Sequence, residues 1–396
     1  MGGFSTLSAP KPWRHHHNLS TIPNQPTTKN VPSLRFNPPP SRKPKPFSCF
    51  ALDSSKPEAP PLVVVGSANA DIYVEIERLP KEGETVSAKT GQTLAGGKGA
   101  NQAVCGGKLD YPTYFVGQVG EDAHGKLINE ALEGGGVLLD HLSIVGDAPT
   151  GHAVVMLQTD GQNSIIIVGG ANMASWPETL QPEDLEVVKN AGIVLLQREI
   201  PDSVNIQVAK TARSAGVPVI LDAGGVDAPI PPELLKFIDI LSPNETELAR
   251  LTNMPTESFE QISEAVGQCH KMGVKQVLVK LGAKGSVLFT EGEEPIRQPI
   301  ISAPKVIDTT GAGDTFTAAF AVALVEGKSK KECLKFADPL SMPISPSDVY
   351  KRSRDEVAAN GCIRREFLTA YVVYLQTNIL PGKRHLADSS QLVQSC

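Results

Sequence analysis

Leu62-Val63-Val64-Val65-Gly66 is a short, mostly β-branched run that stops on a glycine. So brief a run, apolar on both faces and bounded by a turn signal, reads as a strand inside a covered sheet. The same design returns at Tyr114-Phe115-Val116-Gly117, Ile193-Val194-Leu195-Leu196, Val217-Pro218-Val219-Ile220-Leu221-Asp222, Ile238-Asp239-Ile240-Leu241 and Val277-Leu278-Val279-Lys280-Leu281. Helical stretches near 100–109, 122–134, 203–215, 245–252 and 258–272 separate most of these runs. Apolar strands alternating with helices predict an α/β fold, a doubly wound and mostly parallel sheet with helices on both faces. Right-handed crossovers then gather the loops after the strands on one edge, where ligands bind. Two segments break the alternation. Residues 84–94 and 151–168, the latter with a turn at Asp160-Gly161, read as antiparallel strands that leave the sheet. They predict a small β-lid over its C-terminal edge, spanning about residues 67–94 and 151–168.

Composition narrows the function classes. The 396 residues are 40% apolar and 20% charged, enough for a sizeable core. A net charge of −6 argues against a general nucleic-acid surface. No apolar run approaches the roughly 18 residues of a membrane span. Six cysteines without a CxxC argue against a zinc ribbon or disulfide scaffold. The charge is unevenly spread: residues 1–52 hold seven Lys and Arg, ten Pro, six Ser and no Asp or Glu. Such a segment buries too little surface to order itself and lacks the apolar core of a secretory signal. It has the composition of an organelle transit peptide, and its prolines favour a plastid address over a mitochondrial one. Residues 1–57 are therefore expected to be a disordered transit peptide, processed near Cys49-Phe50-Ala51.

Glycine clusters mark the candidate site. In Asp308-Thr309-Thr310-Gly311-Ala312-Gly313-Asp314-Thr315-Phe316, a glycine-rich turn enters a helix. A helix start offers uncovered N–H groups and partial positive charge to an anion. A carboxylate there, with no Walker A motif elsewhere, suits a base for an alcohol attacking a phosphate. Taken alone, Asp314 is better read as a helix cap. Two further clusters shift that balance. Leu94-Ala95-Gly96-Gly97-Lys98-Gly99-Ala100-Asn101-Gln102-Ala103 again runs from glycines into a small-residue helix. Its bare backbone admits a polyhydroxylated ligand closely, and Lys98 and Asn101 add donors; a tight helix–strand contact is the plainer alternative. Asn69 and Asp71 follow the first strand two residues apart, so both point to one side. The pair suits vicinal hydroxyls, or equally an Asx turn.

Together these stretches resemble the PfkB-type sugar kinases over roughly residues 60–337. The segments 96–103 and 308–316 are similar to the family's two motifs, and Gly66-Ser67-Ala68-Asn69-Ala70-Asp71 is similar to the opening of the branch that acts on ribose. The resemblance implies ATP as donor and D-ribose as acceptor, phosphorylated at its 5-hydroxyl to ribose 5-phosphate. A related sugar or a nucleoside is the alternative acceptor. Carried over, Asp314 is the base, and Gly311, Ala312 and Gly313 supply the anion hole. Asn69, Asp71, Gly97, Lys98, Asn101 and Glu199 hold the sugar. Asn244, Lys280, Gly282 and Gly285 contact ATP, although Lys280 stands where that branch usually has threonine. Glu247 meets Mg2+ through water, and Asp308 and Thr310 offer carbonyls to a monovalent cation, K+. The resemblance also implies a homodimer paired through the lid.

The pattern departs from the family after Ala337. Pro339, Pro343 and Pro346 are expected to exclude a helix from Asp338 onward. Residues 338–396 then form an atypical C-terminal tail in place of the expected adenine wall and some cation ligands. A catalytically weak kinase-fold binding protein is the reading that this tail supports.

Overall fold

Side chains of the main sheet divide between two cores, and this explains the unbroken apolar runs. In the computed structural model, which describes residues 59–159, 163–300 and 311–340, nine strands form that sheet. The chain runs β1 (Leu62–Val65), β2 (Asn69–Ile76), β3 (Thr90–Gly96), α1 (Lys98–Lys108), β4 (Thr113–Gly120), α2 (Ala123–Gly134) and β5 (Leu142–Val145). It continues through β6 (His152–Gln158), β7 (Asn163–Val168), α3 (Pro182–Lys189), β8 (Ile193–Arg198), α4 (Asp202–Ala215), β9 (Val219–Gly225) and α5 (Pro232–Leu235). Then come β10 (Ile240–Ser242), α6 (Glu245–Thr252), α7 (Phe259–Lys271), β11 (Gln276–Lys280), β12 (Ser286–Thr290), β13 (Ile296–Gln298), α8 (Ala312–Val325) and α9 (Lys330–Leu340).

The sheet order is β13-β12-β11-β10-β9-β8-β1-β4-β5. Pairing is parallel from β11 to β5, and β12 and β13 add an antiparallel edge. Val63, Val65, Val194, Leu196 and Val277 pack with Val204, Val208 and Val266 of α4 and α7. Their neighbours Leu62, Val64, Ile193, Leu195 and Leu278 pack on the other face with Ala103, Ile128, Phe316 and Phe320 of α1, α2 and α8. Alternate residues thus serve opposite cores, so both must be apolar.

Chain direction positions the site. From β1 the chain builds outward to β4 and β5, then returns to lay down β8 to β11 on the other side. The carboxyl ends of β1 and β8 therefore flank the switch point, where open α/β sheets bind ligands. A second sheet, β3-β2-β6-β7, leaves from this edge and is the expected lid. In it Asn69 pairs with Gly96 and Asp71 with Leu94, so the register brings two of the glycine-linked motifs side by side.

The structure corrects several expectations. The strand expected over 84–94 begins only at Thr90, and β2 belongs to the lid as a full strand. β5, β12, β13, α3 and α5 were not foreseen. The helix expected to end at Ala337 continues as α9 to Leu340. The bar on proline in helix interiors does not apply there: Pro339 sits in the last turn, where a proline forfeits one i→i−4 bond but need not end the helix earlier. Residues 1–57, the turn at Asp160-Gly161, Asp308, Thr310 and the tail from 341 lie outside the described residues.

Candidate active site

The start of α1 is pressed against the link from β1 to β2. Gly97, with φ of +91°, precedes the helix, and a Cβ there would stand 2.7 Å from the Asn69 nitrogen and 2.9 Å from Ala68 Cα. Only glycine fits both the conformation and the approach. Glu199, just past β8, ties the same corner: its Oε2 accepts from Ser67 Oγ at 2.6 Å and from the Lys98 N–H at 3.2 Å. Asp71 lies with its carboxylate against Gly96. Burial, and then the nearby carboxylates of Glu199 and Asp314, push its pKa up to about 7.

α8 delivers Asp314 to this corner from the opposite direction. Asp314 sits in the first turn, 5% exposed, behind the N-cap Gly311. Its Oδ2 accepts from Asn101 Nδ2 at 3.0 Å, and its Oδ1 lies 3.4 Å from Lys98 Nζ. Residues 213 and 216 positions apart in the chain thereby converge on one carboxylate.

Lys98 also faces Asp222 at 3.5 Å, and Lys280 Nζ donates to the second Asp222 oxygen at 2.6 Å. Asp222 is fully buried in the middle of β9 and also accepts from the Gly224 N–H at 3.0 Å and Thr317 Oγ1 at 3.3 Å. Burial alone would raise its pKa, but the two lysines and the hydrogen bonds from Lys280 and Gly224 hold it well below the usual carboxylate range. Burial likewise opposes charge on Lys98, and Asp222, Asp314, Glu199 and Glu247 outweigh it, so Lys98 stays protonated well above its ordinary range. Sequence reasoning overlooked Asp222. The signal available was an acid directly after a buried apolar run.

A cleft of about 420 Å³ opens on this network, lined by Lys98, Asn244, Glu247, Lys280, Gly282, Gly311, Gly313 and Asp314 among others. Asn244 and Glu247 do share one helical turn, as a reciprocal cap of α6: Glu247 N–H donates to Asn244 Oδ1 at 2.7 Å, and Asn244 N–H to Glu247 Oε2 at 2.8 Å. Lys280 points past Asp222 toward the start of α8, with its Nζ 3.6 Å from where a Gly313 Cβ would stand. Gly285 is not among the residues that line the cleft and lies against the Gln298 carbonyl. The cleft thus presents two ammonium groups, a helix start and a buried carboxylate, a set suited to placing an alcohol against a phosphoryl group.

A lidded, doubly wound α/β fold with a carboxylate at an anion-receiving helix start defines the architecture of an alcohol phosphotransferase. The chain matches the pfkB family carbohydrate kinase profile over residues 60–342, and it belongs to that family. A ribokinase of Arabidopsis thaliana is 72% identical over 316 residues, 79% of this chain and 82% of that protein. A Bacillus subtilis ribokinase is 37% identical over 70% of this chain and 90% of its own length. The solved structure of Arabidopsis thaliana ribokinase complexed with ribose and ATP superimposes with a TM-score of 0.70 and 76% identity, covering 72% of this chain and 92% of that one.

Proposed function

We propose that the protein transfers the γ-phosphoryl group of ATP to the 5-hydroxyl of D-ribose. The observation that carries this reading is the placing of Asp314, held by Asn101 and Lys98 at the start of α8 and open to the cleft. The likeness to a ribokinase solved with ribose and ATP supplies the substrates. Asp314 takes the hydroxyl proton as the oxygen attacks the γ-phosphorus. The bond from phosphorus to the β–γ bridging oxygen breaks, and ADP leaves. An aspartate of this kind needs to orient the hydroxyl and receive its proton late, more than to be a strong base. The N–H groups of Gly311, Ala312 and Gly313 and the ammonium of Lys98 face the developing charge.

A divalent cation accompanies ATP in this reading, and we take it to be Mg2+. Its requirement for few protein ligands fits a cleft whose wall includes the carboxylate of Glu247 beside Glu245 and Asp314. Mg2+ would neutralise phosphate charge there. The K+ ascribed to Asp308 and Thr310 is likewise a proposal, as are a plastid location and a homodimer through the lid. The basic, acid-free composition of residues 1–52 supports the plastid address. A fluorescent reporter fused to that segment should enter chloroplasts, and a cytosolic reporter would reject the address.

ATP consumption by the full chain with ribose, 2-deoxyribose, fructose and adenosine tests the activity. Ribose should give the highest kcat/KM. A higher value for adenosine or fructose, or no turnover of any, would overturn the reading.

A further inference from the structure

Asn172 lies outside every motif quoted above. Its side chain is 1% exposed, in the single helical turn Gly170–Asn172 that follows β7. Its amide is wholly committed to the link between β1 and β2. Oδ1 accepts from the Ala68 N–H at 2.9 Å. Nδ2 donates to the Ala68 carbonyl at 3.0 Å and to Asn69 Oδ1 at 2.7 Å.

These bonds cannot be exchanged. A backbone N–H only donates, so Oδ1 must face Ala68 N, and the NH2 group must then face the two oxygens. Asn69 is left with one orientation, its Oδ1 turned inward and its NH2 turned outward. Asn69 is itself buried. The pair has no room to turn over. Gly151 passes so close that a Cβ there would fall on the Asn172 amide nitrogen and 2.6 Å from Asn69 Oδ1. From the other side, Trp176 Nε1 donates to the Asn172 carbonyl at 2.8 Å and fixes the turn.

We propose that Asn172 is a positioning residue for sugar recognition, forcing Asn69 to present a donor rather than an acceptor to the substrate. Asp71, two residues on along β2, supplies the acceptor. A donor beside an acceptor engages two neighbouring hydroxyls in opposite senses, one through its oxygen lone pair and one through its proton. The inference rests on the ribose-kinase reading above.

The test is Asn172→Asp in the full chain, measured at about pH 8.5, where an introduced carboxyl is ionised. Its shape and its bond from Ala68 N–H are kept, but it cannot donate to Asn69, whose NH2 must then turn inward. Ribose Kd by calorimetry should rise about tenfold or more. The Kd of a non-hydrolysable ATP analogue, and kcat at saturating ribose, should stay within about threefold of wild type. Should that variant not fold, Asn172→Leu also removes the donor and should give the same ribose defect. Trp176→Phe loosens the same turn without touching the amide, so it separates positioning from general support; it should leave ribose Kd within about twofold. A smaller rise in the Asn172 variants, or an equal one in Trp176→Phe, overturns the proposal. A wild-type chain that phosphorylates no ribose fails the functional reading instead, and the assay of wild type reports that separately.

Discussion

Asp71 and Asp222 sit at two ends of the charged network that meets at Asp314, and they behave in opposite ways. Asp71 keeps some exposure, yet its pKa is pushed up to about 7 by burial and the carboxylates of Glu199 and Asp314. Asp222 has no exposure at all, yet it stays ionised between Lys98 and Lys280. Burial alone would order them the other way. What differs is the count of cations in reach, and the chemistry of each end follows. The Asp71 end has hydrogen-bonding groups suited to a neutral polyol. The Asp222 end keeps two ammonium groups charged for an anion.

Asp314 joins the two ends, so its loss breaks the comparison most severely. Asp314→Asn should keep the fold and both substrate affinities while lowering kcat about a hundredfold or more, the scale of a lost general base. Steady-state rates beside ribose and nucleotide titrations check this, and near wild-type turnover would remove Asp314 from the role of base.

The next effect belongs to the cationic end alone. Lys280→Met leaves Asp222 with Lys98 and removes one charge beside the start of α8. The KM for ATP should rise about tenfold, consistent with one lost charge-assisted contact, and the KM for ribose should change by less than about threefold. Equal changes in both would mean that the two ends are not separate.

How legible was all this in the chain? β1, β8 and β11 were plain because each is buried on both faces and so carries no polar residue in its middle. β2 was not, because Asn69-Ala70-Asp71-Ile72-Tyr73-Val74-Glu75-Ile76 is only partly buried and mixes polar with apolar residues. α9 shows a local rule overruled by position, with Pro339 tolerated in a final turn. The glycine loops of the site were legible because their backbone demands leave a mark at adjacent positions. Asp222 and Asn172 left no such mark. Their roles depend on partners 58 and 104 residues away, and nothing in their immediate sequence announces a lysine or an amide across the fold.

The acidic end can be tested by pH. A carboxyl raised in the folded state favours the protonated form, so its contribution to stability is complete below the unfolded value near 4 and is lost as pH rises toward 7. Asn mimics the neutral form at every pH. Asp71→Asn should therefore match wild type most closely in acid and become the more stable of the two at pH 8, by about 1–2 kcal/mol once partial exposure is allowed for. Thermal melts of both proteins without sugar, at pH 5 and pH 8, measure the difference. A gap that does not widen with pH would show that Asp71 titrates as an ordinary surface acid.

The smallest effect on catalysis, and a sharper contrast in packing, lies in the lid. On β6, Ala153 and Val155 are buried, both 7% exposed. Across the pairing, Ile167 and Ile165 of β7 stand opposite them on the same face, yet they are 65% and 53% exposed. Cover ends between adjacent strands, and β7 is an edge whose outer backbone groups have no neighbouring strand in its sheet. Apolar side chains on an open edge invite a second strand. A second copy of the chain is the proposed cover. Replacing both residues, Ile165→Glu with Ile167→Glu, places two like charges from each copy at that seam. The wild-type chain should scatter light as a dimer and the double variant as a monomer at the same concentration. Because neither residue lines the cleft, kcat should change by no more than about twofold. A double variant that remains dimeric would place the interface elsewhere, and a monomeric wild type would leave these isoleucines without a partner in the assembly.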